Sequence, residues 1–276
     1  MPTLHLVATP IGNLEDITAR GLRVLREVDL IAAEDTRHTG KLLARFGIQT
    51  RLTSYYEHNK ISKLDRILAA LEAGDVALVS DAGTPALNDP GFELVRAALD
   101  AGHTVSPVPG PSAPIAALVV SGLPTDRFLY LGYLPRKTGD RRRMTEEVAN
   151  LPYTLIFLES PHRLLAALED LQTAFGDRQI AVARELTKLH EEIFRGRISQ
   201  AAAHFHETPP RGEITLVIAG ASHEIEKWDS DRVRATLAEA LSRGEAPSQI
   251  ARRVALESGR PRREVYRTLT GMTDYR

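Results

Sequence analysis

A chain of 276 residues, 43% hydrophobic and 26% charged, has enough apolar material for a sizeable core and the ordinary balance of a globular protein. A formal net charge of −1 gives no global footprint for nucleic acid, so any basic surface has to be local. With no cysteine, disulfides, thiolate metal sites and cysteine nucleophiles are excluded. A reducing cytosol fits, no leader pattern opens the chain, and no apolar run approaches the ~18 residues of a membrane helix. The expectation is a cytoplasmic protein that does not enter a membrane.

Apolar and β-branched runs at 4–7, 30–33, 76–80, 104–108, 128–131, 154–157, 179–182 and 214–218 predict strands. Helical periodicity lies between them, at 18–28, 38–46, 62–73, 91–101, 112–121, 145–150, 163–175 and 198–206. This alternation predicts βαβ crossovers and a mainly parallel sheet in the first half. In the second half, 192–197 and 213–218 are expected to pair more directly. A cluster of turn residues at Ser121-Gly-Leu-Pro-Thr125 marks a seam, and Leu134-Pro-Arg-Lys-Thr-Gly-Asp-Arg-Arg-Arg143 is expected as a basic loop. After Gly220 the strand pattern ends. The predicted organisation is an α/β domain over 1–121, a second over 122–222, and a helical tail over 229–276.

The tail reads as helices at 231–243, 247–258 and 262–271, with Gly244 and Gly259 at stop positions. It holds ten arginines against seven acidic residues from Asp229 onward. Its last two helices resemble a helix-turn-helix suited to phosphate contacts through Arg252, Arg253, Arg262 and Arg263. A solvated helical cap with arginines on its wet face accounts for the same pattern equally well.

Four turns end strands and open helices: Thr9-Pro-Ile-Gly-Asn13, Ser80-Asp-Ala-Gly-Thr-Pro85, Pro109-Gly-Pro-Ser-Ala113 and Glu159-Ser-Pro-His162. Open α/β sheets bind ligands at the carboxyl ends of strands, where glycine permits close approach. Asp81 can accept hydrogen bonds from a diol or an amine, though the same string can form an Asx turn. Ser112 can cap a helix whose positive end faces the site. Glu34-Asp-Thr-Arg-His38 can bind a polyanion or supply a base, and is otherwise a capped surface turn. Tyr55-Tyr-Glu-His-Asn-Lys60 suits stacking and phosphate contact, through His58 and Lys60. Glu159 with Arg163, and Arg184 with its neighbours, can equally be structural ion pairs. Neither a dinucleotide fingerprint nor a phosphate-binding P-loop occurs, and the nine histidines form no metal-binding spacing.

Taken together, Leu6-Val-Ala-Thr-Pro-Ile-Gly-Asn-Leu-Glu-Asp-Ile17, Ala33-Glu-Asp-Thr-Arg37, Val79-Ser-Asp-Ala-Gly-Thr-Pro85, Pro109-Gly-Pro-Ser112, Glu159-Ser-Pro-His-Arg163 and Arg184-Glu-Leu-Thr-Lys188 resemble the ribosomal RNA small subunit methyltransferase I family. The likeness runs from about residue 3 to the basic tail. It implies the tetrapyrrole-methylase (class III methyltransferase) fold: two α/β domains with an S-adenosylmethionine cleft between them, a small helical domain beyond, and a homodimer. The implied reaction is 2′-O-methylation of a decoding-centre cytidine of 16S rRNA in the small ribosomal subunit. Carried over by position, Pro10, Ser80, Asp81, Ala82, Gly83, Pro85, Ser112, Ala113, Leu158, Arg184, Gly212, Glu213, Ile214 and Thr215 would form the cofactor pocket.

Glu34 or Asp35 is the expected base. Arg37, Lys41, Arg136, Lys137, Arg141 and Arg142 join the residues named above as expected RNA contacts, and no metal is expected. Two other activities compete with this reading. One is methylation of a tetrapyrrole or corrin precursor, which would need no basic footprint; the other is a non-enzymatic RNA-binding assembly factor.

Overall fold

The computed structural model describes residues 2–57, 60–221 and 228–273, with the backbone alone at 60, 62, 256 and 273. The chain divides into two compact units, Met1–Ala221 and Ser222–Arg276. The first unit contains two sheets, which we call the first and second lobes.

In the first lobe, β1 (Thr3–Val7), α1 (Ala19–Glu27), β2 (Leu30–Ala33), α2 (Thr36–Arg45), β3 (Leu52–Ser54), α3 (Lys60–Ala73), β4 (Val76–Val79), α4 (Phe92–Asp100) and β5 (Thr104–Val108) follow in order. The strands lie as β3-β2-β4-β1-β5, all parallel. β2 and β4 are buried along their whole length, which explains their unbroken apolar runs. Val7, Ile31 and Val79 meet α1 and α2 through Leu25 and Leu43 on one face. On the other, Leu4, Val76 and Leu78 meet Ile67 and Leu71 of α3 and Leu94 of α4. The three-residue β3 was not expected; its single buried residue, Thr53, gives no apolar run to read. Tyr55, just beyond it, is fully buried in that second core and so is no stacking platform.

The second lobe holds β6 (Phe128–Tyr133), α6 (Thr138–Val148), β7 (Thr154–Glu159), α7 (Leu164–Phe175), β8 (Gln179–Arg184), β9 (Glu192–Arg197), α8 (Ile198–Glu207) and β10 (Ile214–Ile218), which follow α5 (Ala113–Val120). Its order is β6-β7-β10-β8-β9, with β6 parallel to β7 and the remaining pairs antiparallel. The expected pairing of 192–197 with 213–218 does not occur, because β8 lies between them. α5 leaves the first sheet and packs Ala117 and Leu118 on Ile156, Ala181 and Val217 of the second. The seam is thus bridged by a helix whose strand belongs to one lobe and whose core contacts belong to the other.

The expected basic loop is largely helix. α6 starts at Thr138, and Arg141 turns inward, where it and Asp170 of α7 are each 5% exposed and joined at 2.5 Å. Its helical phase was masked because arginines at 141–143 read as a solvated run.

Within the second unit, α9 (Ser230–Ser242), α10 (Pro247–Ser258) and α11 (Arg262–Thr273) enclose a core of Val233, Leu237, Ile250, Val254, Val265 and Leu269. Asp229 caps α9 by accepting from the Arg232 N–H, and Gly259 ends α10 in the left-handed region.

Candidate active site

The carboxyl ends of the parallel strands point their loops one way, and the second sheet meets them there. The first turn and the β4 turn are stitched together: the Thr9 N–H donates to the Gly83 carbonyl at 2.9 Å, and the Gly83 N–H returns to Thr9 at 3.0 Å. Gly83 has φ +81°, a conformation glycine adopts without strain. The second lobe meets the first turn at Gly12. A Cβ there would run into the Lys188 and Thr187 side chains, and Thr187 accepts from the Asn13 N–H. Positive φ at Glu185 and Thr187 on one side, and at Ala86 and Asn88 on the other, places strained backbone on both banks of the cleft.

A cavity of about 190 Å³ opens between the lobes. Of the expected cofactor residues, Asp81, Ala82, Gly83, Ser112, Ala113, Leu158, Glu213, Ile214 and Thr215 line it. The structure leaves the others off its wall. Pro10 faces a neighbouring hollow. Ser80 and Pro85 are buried beneath the loop. Arg184 is tied to Glu192 at 2.8 Å. Gly212, with φ +79°, lies against Glu185. Ser112 occupies the N-cap of α5, but its hydroxyl makes no capping bond, so the expected side-chain cap is absent; of the first turn only Ala113 and Ile115 offer an N–H, since Pro114 has none.

Asn88, Asp89, Tyr130 and Tyr133 also line the cavity and were missed. Asp89 follows Asn88 and precedes Pro90-Gly91, so a turn signal was there to find. Tyr130 read only as a strand residue, and Tyr133 fell between the expected strand at 128–131 and the expected basic loop from Leu134. Burial pushes the Asp89 carboxyl up to about 6, and the nearby charge of Glu34 adds to the effect. Tyr130 is raised to about 12 by burial first, then by Tyr133 and Asp89, and its buried hydroxyl has no hydrogen-bond partner among the described residues.

Glu34 and Asp35 diverge although adjacent. Glu34 lines the cavity, accepts from the Asp81 N–H at 3.2 Å, and is raised by burial against the opposing pull of that bond. Asp35 instead caps α2. Its carboxylate accepts from the Arg37 guanidinium and backbone N–H, which hold it far below the usual carboxylate range. A carboxylate engaged in this way is the weaker proton acceptor of the two.

Among the expected RNA contacts, Arg141 is buried, whereas Arg37 pairs with Asp35 and Arg142 joins Asp170 at 2.7 Å with their side chains still 88% and 58% exposed. Arg253 is bound to Glu245 and Glu257. Lys41, Arg136, Lys137, Arg252, Arg262 and Arg263 are exposed. His58 and the side chain of Lys60 lie outside the described residues. Among the described residues no cluster of three metal-ligating side chains occurs, and no helix is long and apolar enough to cross a membrane.

The family model for Tetrapyrrole (Corrin/Porphyrin) Methylases matches residues 3–202. The chain belongs to this family. It is 50% identical to the ribosomal RNA small subunit methyltransferase I of Synechocystis sp., covering 96% of each chain. It is 48% identical to that of Escherichia coli O157:H7, over 92% of this chain and 89% of the relative. The Thermotoga maritima protein of that name matches at 48% over 221 residues, 80% of this chain and 99% of the relative. Among solved structures, uroporphyrin-III-C-methyltransferase from Thermus thermophilus aligns with TM-score 0.56 at 24% identity, over 79% of this chain and 94% of that one. Diphthine synthase aligns at 0.60 and 16%, over 79% and 90%. These two share the fold.

S-adenosylmethionine is the methyl donor of tetrapyrrole methylases, and the cleft suits it. Asp81, Asp89 and Glu213 offer negative charge to a sulfonium and an ammonium, and the open end of α5 suits a carboxylate. The orphaned Tyr130 hydroxyl is a buried polar atom waiting for a partner. Ile11, Leu87, Leu158 and Ile214 give an apolar wall for an adenine ring.

Proposed function

We propose that the chain methylates the 2′-hydroxyl of a decoding-centre cytidine of 16S rRNA, as a cytoplasmic homodimer acting on the small ribosomal subunit. The observation that carries this reading is the 50% identity over 96% of the chain to a relative named for ribosomal RNA methylation. The tetrapyrrole-modifying relative of known structure shares 24% identity and supports the fold alone. In this reading residues 1–121 and 122–222 form the catalytic pair of lobes, and 229–276 form an RNA-binding appendage.

S-adenosylmethionine supplies, when bound, an electrophilic methyl on a cationic sulfur, which the ribose oxygen displaces in line. The protein's part is positioning and proton removal. Asp89 balances the cationic centre across the cleft from Tyr130. Glu34, half-buried and held by the Asp81 N–H, takes the hydroxyl proton; its raised affinity for a proton makes it a better acceptor than an ordinary glutamate. Lys41 and the exposed Arg136 and Lys137 receive RNA phosphates.

The test is transfer from methyl-labelled cofactor to small ribosomal subunits, with naked rRNA and a tetrapyrrole precursor as parallel acceptors. Label at a cytidine 2′-oxygen is expected. Label in the tetrapyrrole alone would replace the substrate, and no label anywhere would favour a non-enzymatic RNA-binding protein.

A further inference from the structure

The stretch that joins the cleft wall to α6 is short, and its backbone groups are tied down. Tyr133 lines the cleft, and the next residue, Leu134, donates its N–H at 3.2 Å to the carbonyl of Leu158, which also lines it. The Leu134 side chain is buried in the second lobe's core. Its carbonyl accepts from Arg163 Nη2 at 3.2 Å, and the carbonyl of Pro135 accepts from Arg141 Nη1 at 3.3 Å. Pro135 has no N–H to satisfy and a fixed φ. α6 then starts, with Lys137 at its N-cap. Two guanidiniums thus hold consecutive carbonyls, and the next two residues are the exposed cations Arg136 and Lys137.

Stability accounts for one of the two ion pairs behind this stretch. Arg141 and Asp170 close on each other in the core, and Arg142 completes the carboxylate. Glu159 and Arg163 do not close in this way. The Glu159 carboxylate is buried and pairs with Arg163 through Oε1, but its Oε2 and Arg163 Nη1 are buried with no hydrogen-bond partner among the described residues. A buried ion pair with unmet polar atoms is a poor source of stability. What Arg163 does reach, besides Glu159, is the Ser160 hydroxyl at 3.0 Å and the Leu134 carbonyl.

Arg136 and Lys137, by contrast, enter no ion pair among the described residues. Three residues of chain place the Arg136 Cα within about 11 Å of the Tyr133 Cα. Cations on a backbone already fixed at a cleft mouth lose little more than side-chain freedom when an anion binds.

We propose that Arg163, together with Arg141, is a positioning residue for RNA: the two guanidiniums hold the Leu134 and Pro135 carbonyls so that Arg136 and Lys137 meet phosphate at a set distance from the cleft. The Glu159-Ser-Pro-His-Arg163 turn then serves substrate binding through the neighbouring loop. This proposal rests on the rRNA-methylation reading, which gives Arg136 and Lys137 to phosphate, and adds the buried groups that fix where they stand.

Arg141 also supports Asp170, so the test is made on Arg163. Methyl transfer to small subunits would be measured at steady state, with cofactor affinity by calorimetry as the check on folding. Arg163→Lys keeps a positive charge beside Glu159 but loses the planar fork that spans carboxylate, hydroxyl and carbonyl. It is expected to raise KM for the subunit about tenfold, the cost of ordering a freed loop on binding, with kcat and cofactor Kd within about twofold of wild type. Arg136→Ala/Lys137→Ala should raise KM by itself and lower the slope of log KM against log salt by about two. In that background Arg163→Lys should add less than about twofold, because a residue that acts through two side chains has nothing left to act on once they are gone. Glu159→Gln/Arg163→Met removes the buried charges together with the tether, and should reproduce both results even if Arg163→Lys folds poorly.

An equal rise in KM in both backgrounds, or no rise in either, overturns the assignment and leaves the rRNA reading standing. Loss of cofactor affinity in both Arg163 variants overturns it too, since the pair would then be a structural element of the lobe. Failure of the wild-type enzyme to methylate any RNA overturns that reading, and the positioning role with it.

Discussion

The two lobes build the same cleft by different means. The first lobe's sheet is wholly parallel, so every strand delivers its carboxyl end, and the loop after it, to one edge. Its contribution is loop residues and charge: Glu34 after β2, Asp81 and Asp89 after β4, and the open end of α5 after β5. The second sheet is mixed, and its contribution comes from the strands themselves. β10 enters at the edge where β7 leaves, pairing Ile214 with Glu159 and Thr215 with Leu158, so the start of one strand and the end of another share a wall. β6 adds Tyr130 and Tyr133. A parallel sheet thus assembles chemistry from turns, whereas a mixed sheet offers side chains from the strand body as a surface.

If the first lobe carries the chemistry, its carboxylates should control turnover and leave stability nearly untouched. Glu34→Gln is expected to lower kcat by 10²–10⁴-fold, the usual range for a lost general base, with cofactor Kd changed little. Asp35→Asn, one residue away, should alter turnover far less, because its carboxylate is already spent on capping α2 and pairing with Arg37. Single-turnover rates on the two variants make the comparison. Equal losses would mean that the loop after β2 acts only as a structural unit and that neither carboxylate takes the proton.

The second lobe should respond in stability instead. Burial pushes Asp170 up, but hydrogen bonds from Arg142 and Arg141 overcome it and hold the carboxyl below its ordinary value. A depressed carboxylate contributes stability above its unfolded value and loses it as pH falls. Arg141→Ala leaves that buried charge with one exposed partner and should cost about 3–5 kcal/mol. Arg142→Ala, on a side chain 58% exposed, should cost below ~1 kcal/mol. Denaturant unfolding would show the ranking; similar values would mean that water reaches Asp170 freely and the pair is not a core element.

How much of this was legible follows from the same contrast. The first lobe wrote its site in Gly and Pro turns after apolar runs, so Asp81, Gly83 and Ser112 could be found from sequence alone. In the second lobe, Leu158 and the 213–215 stretch came from the family resemblance, because strand residues that face a cleft look like strand residues that face a core. Tyr130 and Tyr133 had no turn to mark them. The inward turn of Arg141 depended on Asp170, 29 residues away on another helix, and the pairing of β9 depended on the placement of β8 between it and β10. The divergence of Glu34 and Asp35 is tertiary too: both sit at a strand end, and only the position of Arg37 and the Asp81 N–H separates them.

The finest test of the comparison concerns Asp89, where binding and stability should move in opposite directions. Its carboxyl is raised to about 6 by burial and by the charge of Glu34. A raised folded value means that the native state holds the proton more tightly than the unfolded chain, so this group's contribution is full below the ordinary carboxylate range and is lost as pH rises through about 6. At pH 7 the ionised, crowded carboxylate therefore costs stability, and Asp89→Asn should stabilise the protein by ~1 kcal/mol after allowance for solvent screening. The same charge is what a cationic cofactor needs. Wild-type affinity for S-adenosylmethionine should improve by up to about tenfold per pH unit on approaching 6 from below and then level off, whereas Asp89→Asn should bind more weakly at pH 7 with a flattened profile. Calorimetry in buffers of different ionisation enthalpy would also register proton release on binding near pH 6. If Asp89→Asn bound as tightly as wild type at every pH, Asp89 would be a strained loop residue only, and the first lobe's charge would act through Asp81 and Glu34.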